Sequence, residues 1–253
     1  MLFYYTATGN CLYVAKKLES QRLSIPQELK KEHNEYQDDM IGIVSPIYAG
    51  ELPKSVRRFI EKSTFKTDYF YLILTYGKDD SVASTWSEDF CRQNNIKVDY
   101  IQTILMVDNY LPSFDMNEEM ALDKKVDEQI HIALTNLQQR VEFIPQPEQA
   151  AKDLYATVSS RFSEHPELNN GQTISMSKRC EGCQICKQVC PIGNIEVVDG
   201  HAQRINETCD FCLACVHHCP FKAIDLKYDK NPQARYRHLN VSLKEIVESN
   251  HQK

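Results

Sequence analysis

The stretch Leu2-Phe3-Tyr4-Tyr5-Thr6-Ala7-Thr8-Gly9-Asn10-Cys11 decides how the first half of this chain folds. Four apolar or aromatic residues in a row read as a buried strand, a Thr/Gly turn follows, and Leu12, Ala15 and Leu18 then recur on one face of a helix. Further strand-like runs fall at residues 40–47, 69–76 and 98–107, with a weaker one at 23–28. Helical patterns begin near Asn10, Pro53 and Asp80, the second with Val56, Phe59 and Ile60 on one face. Strands alternating with helices predict an α/β fold, here a five-stranded doubly wound parallel sheet.

Beyond the sheet, the spacing predicts a polar helix over residues 116–142. Met120, Val126, Ile130, Ala133, Leu134 and Leu137 form its buried stripe. Pro145 and Pro147 break the chain, and residues 149–164 read as one more helix. The segment His-Pro-Glu-Leu-Asn-Asn-Gly at 165–171 is the best linker in the sequence. The expected organisation is therefore one domain over 1–165, a small α+β domain over 172–226 and a tail over 227–253. That tail carries Arg235, Arg237 and His238 near Tyr236.

The small domain contains eight of the ten cysteines. Cys180, Cys183, Cys186 and Cys190 precede Pro191, and Cys209, Cys212, Cys215 and Cys219 precede Pro220. Three thiolates within seven residues can wrap one loop around three irons of a 4Fe-4S cube, with loop amides turned towards the sulfides; the fourth iron takes a ligand from elsewhere. A zinc site is the alternative, but zinc modules pair two Cys-x-x-Cys units rather than two runs each closed by Pro. A disulfide framework would need an oxidising compartment, and the sequence shows no routing to one. The repeated Cys-x2-Cys-x2-Cys-x3-Cys-Pro run resembles that of two-cluster bacterial ferredoxins. The resemblance implies crossed ligation: Cys180, Cys183 and Cys186 with Cys219 on one cube, and Cys209, Cys212 and Cys215 with Cys190 on the other. Ile185, Ile192, Ile195, Phe211, Leu213 and Ile224 are expected to shield them, with His217 and His218 at the surface.

At the other end, the hydroxyls of Thr6 and Thr8, the glycine and the free amides at a helix start make a phosphate cradle without a basic side chain. In a 2-1-3-4-5 sheet a ligand sits beyond the carboxyl ends of the first and third strands. Two more loops fall there, 45–53 and 75–78. They bring Pro46, Tyr48, Ala49 and Gly50, and Thr75, Tyr76 and Gly77, with each Tyr placed to lie against a planar ring. Thr6, Ala7, Thr8, Gly9 and Asn10 resemble the FMN phosphate loop of flavodoxins. Joined to the cysteine runs, nearly the whole chain resembles the flavodoxin–ferredoxin fusion proteins of anaerobic and fermentative bacteria. The resemblance implies FMN and two 4Fe-4S clusters, and redox partner proteins acting as low-potential donor or acceptor. Cys11 departs from the last Thr of the flavodoxin loop and removes one hydroxyl.

Composition excludes other classes. A net charge of -6, with the acid excess in the first 171 residues, does not suit broad nucleic-acid binding. Met1 leads straight into a strand, and the apolar run at 70–76 is too short to span a bilayer, so a cytoplasmic protein is expected. With eight glycines there is no Gly-x-Gly, hence no dinucleotide or Walker fingerprint. No general acid or base stands out, so no catalytic residue is assigned. An electron carrier is the first reading. The rivals are a flavin-dependent reductase of a small oxidant fed by the clusters, and a ferredoxin whose flavodoxin-like domain is an empty docking platform.

Overall fold

The computed structural model describes residues 1–252. Leu2–Tyr4 (β1) leads into Asn10–Leu18 (α1), and the chain continues through Arg22–Ser24 (β2), Ile25–Glu28 (α2), Asn34–Gln37 (β3) and Met40–Pro46 (β4). Lys54–Lys62 (α3), Ser63–Lys66 (β5), Tyr69–Tyr76 (β6), Ala83–Gln93 (α4) and Tyr100–Leu105 (β7) follow. Strands β2, β1, β4, β6 and β7 lie side by side in that order, all parallel. Setting aside the short parallel pair of β3 with β5, this is the flavodoxin-like order 2-1-3-4-5.

The period of two along each strand sorts the side chains between two cores. Leu2, Tyr4, Val44, Ile73 and Ile104 face one side, under Leu12 and Ala15 of α1. Phe3, Ile43, Leu72, Leu74 and Ile101 face the other, under Val56, Phe59 and Ile60 of α3 and Cys91 of α4. Burial on both faces is why the strands read as continuous apolar runs.

Two expectations need correction. The weak strand expected at 23–28 is instead Arg22–Ser24; Pro26 then sits in the first turn of α2, where its missing N–H and fixed φ suit a helix start. The long helix over 116–142 is two helices, Met116–Met120 (α5) and Val126–Gln138 (α6). Between them the Asp123 carboxylate accepts the Lys125 amide at 3.0 Å, and Lys125 is left-handed at φ 52, so the helix cannot run through.

Gln149–Glu164 (α7) and a 3-10 turn at Pro166–Leu168 lead to the small domain. There Ile174–Met176 (β8), Ile185–Gln188 (α8), Ile195–Val198 (β9), His201–Arg204 (β10), Ala214–His218 (α9) and Ile224–Leu226 (β11) form two antiparallel pairs, β8 with β11 and β9 with β10. Their apolar cluster includes Cys186, Cys190, Ile195, Phe211, Leu213 and Ile224, together with Leu111 and Met116 from the large domain and Tyr236 from the tail.

The tail ends in Leu243–Asn250 (α10), which returns to the sheet. Val241 and Ile246 join the core above α1, and the hydroxyls of Ser249 and Tyr4 meet at 2.7 Å. Lys16 pairs with Glu245 at 2.6 Å and holds that carboxyl down at about 2, while Ser242 and Glu245 close a capping box. Among the described residues no helix is long and apolar enough to cross a membrane.

Candidate functional site

The carboxyl ends of β1, β4, β6 and β7 open onto a cavity of about 450 Å³, a size typical of small-molecule and cofactor sites. Thr6, Ala7, Thr8, Asn10 and Cys11 line one end of it. Pro46, Tyr48, Ala49 and Gly50 line a second wall, and Thr75, Tyr76 and Gly77 a third. Of the residues expected around a ligand, only Gly9 does not line the cavity. Gly9 adopts φ +106, and a Cβ there would stand 3.0 Å from the Cβ atoms of His238 and Val241. The glycine is required by its backbone and by the tail behind it.

The turn before α1 is held from behind. The Gly9 amide donates to Thr6 Oγ1 at 3.1 Å, Asn109 Nδ2 donates to Thr8 Oγ1 at 2.6 Å, and the carbonyls of Thr6 and Thr8 accept from Asn250 Nδ2 and the His238 amide. The first-turn amides of α1 have no intrahelical acceptor and carry the positive end of the helix dipole, so this end of the cavity suits an anion. Cys11 does not extend the cradle: its thiol lies 3.1 Å from Thr75 Oγ1, and burial pushes its pKa up to about 12.

Three further walls were not singled out from sequence. Val107, Asp108, Asn109 and Tyr110 follow β7; they lie at the end of the last strand of a doubly wound sheet, and the strand order was the signal that could have found them. Asp108 packs directly on Gly77, where a Cβ would stand 2.2 Å from its own Cβ. Burial, with Glu119 adding, pushes its carboxyl up to about 6. A second wall is the inner side of α7, and the third comes from the cysteine domain itself, Asp210 to Leu213.

That last wall is anchored by buried polar contacts. Tyr5 Oη donates to Asp210 Oδ2 at 2.9 Å and Ser55 Oγ to the same oxygen at 2.5 Å, while Lys54 Nζ reaches the Cys209 carbonyl at 3.3 Å. Cys212 packs against the apolar clusters on both faces of the sheet. Burial, with Cys212 and Asp210 nearby, raises the Tyr48 phenol well above its ordinary pKa, so it stays neutral.

The eight cysteines fall into two groups. Cys180, Cys183, Cys186 and Cys219 line one small cavity beside Phe221, and the electrostatic neighbours of Cys186 are Cys183, Cys219 and Cys180. The neighbours of Cys215 are Cys212, Cys190 and Cys209 ahead of Cys186. The first group thus joins three cysteines of one run to the last cysteine of the other. Backbone amides point at the sulfurs: Ala202 at Cys180 and Asn194 at Cys190 at 3.3 Å, Phe211 at Cys209 at 3.3 Å and Ala223 at Cys219 at 3.2 Å. Such donors stabilise charge gathered on sulfur. Burial raises the thiol of Cys186 to about 11 and lifts those of Cys212 and Cys215 well above their ordinary value, so a metal must displace these protons.

His217 and His218, expected at the surface, are buried. Both lie on α9, whose inner side faces the large domain. The Tyr236 amide donates to His217 Nδ1 at 3.1 Å, which leaves Nε2–H to donate to the Asn109 carbonyl at 2.9 Å. Burial pushes His217 down to about 3 and His218 to about 4, so both are neutral near pH 7. His217 is a docking residue between the two domains, while His218 bonds back to the Ala214 carbonyl of its own helix at 2.7 Å.

Residues 173–220 match the family described as a 4Fe-4S dicluster domain, a span that includes all eight cysteines of the two runs. This part of the chain is a 4Fe-4S ferredoxin domain, and it supports iron–sulfur electron transfer. Among solved structures, the metal-soaked Flv1 flavodiiron core from Synechocystis sp. PCC6803 aligns over 63% of this chain and 36% of its own length, at 9% identity and a TM-score of 0.29. This chain therefore spans about a third of that one. No curated protein matches the chain.

Proposed function

We propose that the chain is an electron-transfer protein that holds FMN and two 4Fe-4S clusters and links a low-potential donor to a partner enzyme. The observation that carries this reading is the shared wall: Cys212, with Asp210, Phe211 and Leu213, lines the same cavity as the three strand-end loops. A ferredoxin domain beside an empty docking platform would not need its ligand loop in that position.

The residues present fit both cofactors. The amides at the start of α1 would hold the flavin phosphate, Tyr48 and Tyr76 would flank the ring, and Asn109 fixes the Thr8 hydroxyl. Cys180, Cys183, Cys186 and Cys219 would hold one cube; Cys190, Cys209, Cys212 and Cys215 would hold the one nearer the cavity. FMN exchanges electrons singly or in pairs and each cube one at a time, so their combination can join one-electron to two-electron chemistry. Asp210 fixes the ligand loop against Tyr5 and Ser55, and the wall it forms covers the cavity on that side. A site walled on one side by the cluster loop supports a carrier over a reductase. Cys183 is exposed, which leaves the first cube the better placed to meet a partner protein.

Anaerobic purification followed by flavin release tests the reading: FMN is expected, and FAD or no flavin would contradict it. Gly9→Val adds both a strained φ and contacts with His238 and Val241. A penalty of about 1–3 kcal/mol, or a flavin affinity lowered roughly tenfold or more, is expected with iron content unchanged. Flavin retained at wild-type affinity would mean that the cradle is wrongly placed.

A further inference from the structure

The helix α7 runs for 16 residues without a single buried one. Its half-buried positions are Ala151, Tyr155, Val158, Ser159 and Phe162, which recur at helical spacing and so form one stripe. Tyr155, Val158 and Phe162 of that stripe face the cavity, as does Leu154, which is 44% exposed. An amphipathic helix ordinarily buries such a stripe in a packed core; here the stripe closes over space.

The helix is tethered lightly. The Tyr155 phenol donates to Glu51 Oε1 at 2.8 Å, and its ring lies where a Cβ on Gly50 would stand 2.9 Å from it, which ties α7 to the Tyr48 loop. Its two ends differ in kind. Residues 144–148, with Pro145 and Pro147, carry no regular structure. At the far end Gly171, at φ +86, stands where a Cβ would be 3.0 Å from the Cys209 sulfur, and Arg204 donates to the Gly171 carbonyl at 2.5 Å. One end is thus a proline joint and the other is pinned beside a cysteine of the second group.

We infer that α7 is a hinged cover of the cavity, a cofactor-positioning element whose Leu154, Val158 and Phe162 become buried against the flavin ring when it enters. The cover pivots at its fixed Gly171 end while the 144–148 segment takes up the motion, and Tyr155 on Glu51 is its latch. The inference rests on the reading of the cavity as a flavin site. Covering by α7 slows flavin release, and the same motion admits it.

Hydrogen exchange on the iron-loaded full chain, with and without added FMN, tests this. The amides of residues 149–164 are expected to exchange about tenfold more slowly with FMN bound. Phe162→Ser and Val158→Ser are expected to raise the FMN release rate about tenfold with iron content unchanged, and Thr157→Ala, on the outer face, to leave it unchanged. FMN that binds with no added protection in α7 overturns the cover and leaves the flavin site standing. A chain that binds no FMN at all overturns the flavin reading and the cover with it. Release unchanged in both serine variants also overturns the cover, because a positioning helix must affect the rate of escape.

Discussion

Stripping iron from the anaerobically reconstituted protein is expected to release about eight iron and eight sulfide per chain and to unfold residues 173–226 while the sheet stays folded. The small domain has strands of three or four residues, helices of four or five, and an apolar cluster in which Cys186 and Cys190 are themselves members. A piece of this size cannot bury enough apolar surface to offset its chain entropy without the metal. Loss should spread to the cavity, because Val189 and Ala214 pack in the core above α1, and Asn250 Nδ2 bridges the carbonyls of Val189 and Thr6. Hydrogen exchange before and after chelation measures both effects. Stoichiometric zinc without charge-transfer absorption, or protection in 173–226 that survives chelation, would contradict the expectation.

Asp210→Ala is expected to destabilise the iron-loaded protein by about 3 kcal/mol. The carboxylate is buried and accepts from two hydroxyls, Tyr5 Oη and Ser55 Oγ, on different elements of the large domain. Its removal leaves both hydroxyls unpaired inside the interface, and hydrogen bonds to a charged group are the stronger kind. Asp210→Asn keeps one acceptor and should recover part of the loss. Denaturant unfolding under anaerobic conditions reads the difference at constant m-value. A change below about 0.5 kcal/mol would show that packing at Cys212 holds the domains together without this network.

The sheet was legible because its strands are buried on both faces: Phe70 to Leu74 is apolar whichever way each residue points. The cysteine runs were legible because ligand spacing is local. What escaped were features made by distant parts of the chain. Gly9 reads as a phosphate-approach glycine, and nothing local shows that His238, over 200 residues away, also stands behind it. His217 and His218 read as surface residues, but both are buried and His217 reaches Asn109 and Tyr236. Asp210 gives no periodic signal at all; its partners lie at positions 5 and 55. The break at Lys125 was a local signal that the apolar stripe of residues 116–142 outweighed in the sequence reading, since Asp123 offers an Asx-type competitor to the helix.

The ferredoxin loop and the cavity it walls are expected to act as one electron path. Rapid mixing of the fully loaded protein with a one-electron donor, at several protein concentrations, checks this. Flavin reduction is expected at a rate independent of protein concentration, and it is expected to be lost in Cys215→Ser, which disables the cube nearer the cavity. A rate that rises with protein concentration, or one that Cys215→Ser leaves unchanged, would contradict the internal path and leave a flavin domain and a ferredoxin domain that merely share a chain.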